Sequence, residues 1–215
     1  MSDTDDDMAR ELREALSFLA HAAREGHSST LALIELHRVS GESMPASELL
    51  QRIERNARRS LTRIDDFVAL ARARSQPMNA EELDLLDSLF DAVAEAWQAS
   101  NQRGVRLKVG NTPDEAVLQA DRSLLRLAIV RLLQQAIDGA QRGSELVCTV
   151  RELPGAWGIE IDEAPTGAVT APPAAAELQH GWALVEVAAQ RMGGGAKRWD
   201  EPGHGVRLQV TLARG

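Results

Sequence analysis

The chain opens with two long stretches in which apolar residues recur at helical spacing. Between Met8 and Val39, residues Leu12, Ala15, Leu19, Ala23, Gly26 and Ile34 fall within roughly 60° of one direction at about 100° per residue, which predicts a helix with one apolar seam. His37 lies on that seam and reads as packed in or beside a core; His27 stands at its edge, about 80° off. His21 points the other way, about 160° from the seam, so its imidazole stands on the polar side where a partner could reach it. The segment SGESMPAS, positions 40–47, supplies the Gly, Ser and Pro punctuation of a loop. A second helix is predicted from about Ala46 to Ser75, with Leu50, Ile53, Ala57, Leu61, Ile64, Phe67, Val68 and Ala71 in a near-heptad stripe. One hairpin of two such helices leaves apolar surface uncovered. A second copy would cover it, so the pattern predicts a homodimer built on a four-helix bundle.

Beyond Gln76-Pro77, which reads as a hinge, helices and strands intermix. Helix is expected over Glu82–Gln102, strands over Val105–Val109 and Ala116–Gln119, and a further helix from an Asp121 cap to about Ala140. Alternating strands follow at Leu146–Glu152 and Trp157–Asp162, joined by a Pro-Gly turn. An Ala/Pro-rich loop covers 164–177, and a helix from about Leu178 to Met192 stops on Gly193-Gly194-Gly195. Strands near Ala196–Trp199 and Val206–Leu212 close the chain. This order implies an α+β class, with a long helical hairpin followed by an α/β sandwich whose helices cover one face of a mixed sheet.

A length of 215 residues suits one extended module and one compact domain, and a 44% hydrophobic share allows both to bury apolar surface. A net charge of −8 argues against nucleic acid or an anionic membrane as partner. The lone cysteine, Cys148, excludes an internal disulfide and sits in the alternating run LVCTV, where a small buried filler is expected. No apolar run approaches the ~20 residues needed to span a bilayer, and MSDTDDD has no signal-peptide character, so a cytoplasmic protein is expected.

FLAH at 18–21, followed by Ser28-Ser29 and LALIEL, resembles the phosphoacceptor segment of bacterial two-component sensor histidine kinases. ADRSLLRLAIVRLLQQAI at 120–137 and GHGVRLQVTL at 203–212 are similar to their ATP-binding domain, the Bergerat fold. Residues 1–7 are acidic and expected to fray, and the resemblance implies a dimerisation and phosphotransfer hairpin over 8–76 and an ATP-binding-like domain over 77–215. It also implies that His21 is the phosphorylatable histidine.

The nucleotide machinery that the resemblance implies is incomplete. Gln135 stands where the family has a magnesium-holding Asn, one methylene longer in a place where metal geometry tolerates little displacement. In IDEAPTGAV, either Asp162 or Glu163 stands near the acid of the family's DxGxG motif; a Pro replaces the first glycine and Gly167 remains. Of a second Gly-rich element, QHGWAL keeps Gly181, and the bulk of Trp182 is expected to pack into the vacated pocket. No Lys or Arg lies between Ala164 and His180 to meet a triphosphate.

Around the histidine, Ala22 replaces the acid that would polarise the imidazole, and Glu25 replaces the residue that would orient a hydrolytic water. These departures resemble the dimeric, kinase-derived histidine phosphotransferases. That class shuttles phosphoryl groups between receiver-domain aspartates without a nucleotide, so no cofactor is expected. The expected partners are response-regulator receiver domains, docking around Arg24, Glu25 and Ser28. Two alternatives stand beside this reading. One is an atypical kinase that binds ATP and magnesium through Gln135, Asp162 or Glu163, Gly167 and Gly181; the other is a non-catalytic scaffold.

Overall fold

A computed structural model describes residues 24, 27–39, 45–164, 179–199 and 205–215. They divide into two compact units, one ending at Arg72 and one running from Ala73 to Gly215. In the first, α1 (27–39) and α2 (Ala46–Ser75) are the helices that the apolar spacing predicts. The carbonyl of Pro45 accepts from the amides of Glu48 and Leu49 at 2.9 and 3.1 Å, opening α2 at the residue that cannot continue a helix backwards. Arg52 pairs with Glu48 at 2.8 Å and Arg58 with Glu54 at 2.7 Å, the (i, i+4) lacing of a solvated face. Along α2, Leu50 and Leu61 remain 65% and 61% exposed, and Val68 is also exposed. At 100° per residue these three fall within about 20° of one line, so the single chain leaves an apolar stripe bare.

The second unit is a two-layer sandwich. Its elements are β1 (Ala80–Asp84), α3 (Leu85–Arg103), β2 (Arg106–Val109), β3 (Val117–Asp121), α4 (Arg122–Gly139), β4 (Glu145–Leu153), β5 (Ala156–Ala164), α5 (Gln179–Arg191), β6 (Gly195–Trp199) and β7 (Arg207–Ala213). Five strands form a mixed sheet in the order β2-β4-β5-β7-β6, parallel between β2 and β4 and antiparallel elsewhere. The helices lie side by side on one face, α3 at the β2 edge and α5 over β6 and β7. Alternation follows the pleat: Leu146, Cys148 and Val150 of β4, Trp157, Ile159 and Ile161 of β5 and Leu208, Val210 and Leu212 of β7 are buried together with Leu125, Ile129, Leu132 and Leu133 of α4. The opposite face is polar, and cross-strand pairs such as Arg151–Glu160 at 3.0 Å and Lys108–Glu145 at 2.9 Å line it.

The periodicity predicts helix from Glu82, but Ala80–Asp84 is a strand, paired antiparallel with β3 as a separate two-stranded ribbon. Asp84 explains the boundary. It holds β-region φ/ψ of −87° and 121° and accepts from the Leu86 amide at 2.9 Å, an N-cap that fixes where α3 begins. Asp121 caps α4 as its sequence position predicts, accepting from Ser123 and Leu124 at 3.0 and 3.1 Å; its other oxygen accepts from the Asn79 amide at 2.9 Å. Trp157 donates to the Val117 carbonyl at 2.8 Å, and the Gln119 amide to that of Arg214 at 2.9 Å, so the ribbon is tied to the main sheet. The helix stop after α5 is real: a Cβ on Gly194 would lie 1.7 Å from the Thr211 carbonyl oxygen, so only glycine lets the chain pass β7. Cys148 is fully buried in β4, and burial pushes its thiol up to about 12, as befits a filler.

Candidate functional site

The site residues implied by the phosphoacceptor resemblance fall at positions 21–28. His21 and Glu25 lie outside the described residues; Arg24 and Ser28 are exposed helical positions. His27 is exposed, whereas the Nδ1 of His37 is buried without a hydrogen-bond partner among the described residues.

The candidate nucleotide residues are described except for Gly167, which lies outside the described residues. The pleat of β5 separates Asp162 from Glu163. Asp162 shares its face with Glu160 on the polar side of the sheet and pairs with Arg207 of β7 at 3.2 Å, and that guanidinium lies 4.9 Å from the centre of the Trp199 ring. Glu163 continues the register of Trp157, Ile159 and Ile161 and turns toward the helical layer. Its two carboxylate oxygens have separate backbone partners. Oε1 accepts from the Gln141 amide, just past α4, and Oε2 from the Val206 amide, just before β7, each at 2.8 Å. The Glu163 amide returns a bond to the Val206 carbonyl at 2.8 Å. Gly205 closes over this group so tightly that a Cβ there would stand 2.6 Å from Oε2. One carboxylate thus joins the end of β5 to the turn after α4 and to the start of β7. Sequence inspection left Asp162 and Glu163 as alternatives. The signal that separates them was present in the chain, because two buried isoleucines at 159 and 161 put position 163 on the inner face.

Gln135 and Gly181 meet across the α4–α5 packing. Gln135 is 8% exposed, and a Cβ on Gly181 would lie 2.5 Å from its Nε2. The glutamine amide therefore rests on the bare backbone of the first turn of α5. Its Oε1 is sealed from solvent with no hydrogen-bond partner among the described residues. Trp182, next along, is buried among the core residues and donates its indole N–H to Glu186 at 2.8 Å. It packs inward, as expected, and its one polar atom is satisfied one helical turn on. Among the described residues, no three His, Cys, Asp or Glu side chains come together in a way that could hold a metal ion. No described helix is long and apolar enough to cross a membrane.

No family model and no curated protein sequence matches the chain. Solved structures do. The Acinetobacter baumannii histidine kinase AdeS superposes with a TM-score of 0.68 at 13% identity, covering 91% of this chain and 98% of the AdeS chain in that structure. The histidine kinase ThkA, solved in complex with the response regulator protein TrrA, gives a TM-score of 0.68 at 16% identity over 100% of this chain and 67% of the ThkA chain. A histidine kinase from Burkholderia phymatum STM815 gives 0.54 at 15% identity, over 96% and 97% of the two chains. The chain therefore has the fold of a histidine kinase core, a helical hairpin followed by the mixed α+β sandwich of the ATP-binding domain.

Proposed function

We propose that this protein is a dimeric histidine phosphotransferase of a two-component phosphorelay, moving a phosphoryl group between receiver aspartates through His21. One observation carries the reading: of the two acids that the resemblance brings near the family's adenine-contacting aspartate, the inward-facing one is Glu163, and both its oxygens accept from the backbone amides of Gln141 and Val206. An adenine amino group donating here would have to share a carboxylate already held by two charge-assisted hydrogen bonds, with Gly205 packed close to Oε2. At the metal-holding position the amide oxygen of Gln135 is shut away from solvent, with its amide nitrogen against Gly181. These residues fit ATP and magnesium poorly, which supports a phosphoryl group delivered by another protein.

The chemistry needs little else. A neutral imidazole nitrogen of His21 attacks the phosphorus of an aspartyl phosphate on a receiver; the N–P bond forms as the P–O bond to the carboxylate breaks, and the aspartate leaves ionised. Passage to a second receiver reverses these roles. Receiver docking on the helix around Arg24, Glu25 and Ser28 accords with the complex of ThkA with a response regulator protein. The bare stripe of Leu50, Leu61 and Val68 supports pairing with a second copy, since a hairpin alone would leave these side chains in water.

The test separates phosphate sources. The protein is incubated with labelled ATP alone, then with a phosphorylated receiver, and acid-labile, base-stable label on residue 21 is sought. Label arriving only from the receiver, and lost in His21→Ala, is expected. Label from ATP alone, or transfer that survives His21→Ala, overturns the proposal.

A further inference from the structure

Among the described residues, strand β2 ends the main sheet, with β4 on one side and no strand on the other. The amides of Arg106 and Gly110 donate to the carbonyls of Ser144 and Cys148 at 2.9 and 2.7 Å. By the alternation of a strand, Leu107 and Val109 turn their amides and carbonyls to the open edge. Their side chains are half-buried on the helical side, where Leu107 packs against the core. Directly over this edge of the layer lies α3, whose packed neighbours are α4 and β2. Glu95 marks the α4 side, pairing with Arg126 at 2.6 Å. Trp97 lies about 160° around the helix from Glu95, with Phe90 beside it on the same stripe. These two aromatics are 61% and 48% exposed, well above what a solvated helix face requires.

On the opposite side of the sheet, the residues flanking the free edge are Arg106 and Lys108. Both lean on the single carboxylate of Glu145, at 3.5 and 2.9 Å, so two cations share one anion. An added strand would place alternate side chains beside these cations and the others beneath Trp97 and Phe90. A second copy pairing through β2 would set Arg106 and Lys108 against their own counterparts, an unfavourable arrangement of like charges.

We infer that the β2 edge, roofed by Phe90 and Trp97, accepts an extended segment of a partner protein in which apolar and acidic residues alternate. It joins the sheet as a sixth strand. This surface is independent of His21 and of the relay reading.

The probe is a fluorescent ten-residue peptide alternating Val and Glu, titrated into the full chain by anisotropy. Controls are the Val/Lys analogue and a Val/Glu peptide N-methylated at alternate amides. Saturable binding of the Val/Glu peptide is expected, with the methylated peptide at least about tenfold weaker because it cannot complete the ladder. Each cross-strand opposite-charge pair changes affinity by about 1.5–5-fold, so Lys108→Glu is expected to narrow or reverse the preference over Val/Lys by about that factor. Trp97→Ala, an exposed change that should leave the fold intact, is expected to weaken both charged forms together. Three results each overturn the inference: no binding of the Val/Glu peptide, equal binding of the methylated peptide, or a charge preference unmoved by Lys108→Glu. Self-association abolished by Val109→Pro, which removes an open-edge amide, but untouched by peptide would assign the edge to a second copy instead and equally overturn it.

Discussion

Removing the carboxylate of Glu163 distinguishes architecture from ligand binding. In Glu163→Ala the amides of Gln141 and Val206 each lose an acceptor 2.8 Å away. A hydrogen bond to a charged group contributes roughly 1.5–3 kcal/mol, and the half-buried site lets water recover part of the loss, so a cost of about 2–4 kcal/mol follows. With a urea m-value of about 2 kcal/mol/M, the unfolding midpoint should fall by about 1–2 M. Trp157 and Trp182 are both buried in this unit, so their emission reports the transition directly. Glu163→Gln keeps one acceptor oxygen and should lose roughly half as much. A residue held chiefly for a ligand behaves otherwise, since its removal leaves stability unchanged or raises it. A midpoint within about 0.3 M of the parent for Glu163→Ala would refute the reasoning, and with it the observation on which the relay proposal rests.

For the proposed dimer, Leu61→Glu on the bare α2 stripe is expected to give monomer, measured by light scattering at micromolar concentration, because it would place a charge in the proposed seam. At Asp121, burial raises the carboxyl pKa but the amides of Asn79, Leu124 and Ser123, with a smaller contribution from Arg191, outweigh it, so the net shift is downward. A carboxylate depressed in the folded state stabilises above its unfolded pKa of about 4, and that contribution is lost as pH falls through the folded value. Asp121→Ala should therefore cost about 1 kcal/mol at neutral pH by thermal unfolding and progressively less in acid. Cys148, with its thiol at about 12, should resist a thiol reagent at pH 8 and react at once in denaturant. Rapid native-state labelling would contradict its burial.

Much of this architecture is written in local periodicity. The α2 boundaries, the Asp121 cap and the glycine stop after α5 each depend on neighbours within a turn or two, and the structure places them at or near where spacing predicts. The strand Ala80–Asp84 escapes such reasoning because its reason is a partner nearly forty residues away in β3. Polar and mostly exposed, AEELD has little pattern of its own. The same holds at the candidate site. Which of two adjacent acids faces inward was legible from the isoleucines before it, but the amides that occupy Glu163 come from Gln141 and Val206, whose approach only the tertiary fold creates. Nor does any spacing rule show that the glutamine of α4 would come to rest on the glycine of α5.

That resting contact makes two distant positions in the chain interdependent. Any side chain at 181 takes space the glutamine end group now fills, and a shorter residue at 135 would free that space. Sequences descended from a common parent should thus show the two positions drifting as a pair, with bulk gained at one wherever it is given up at the other.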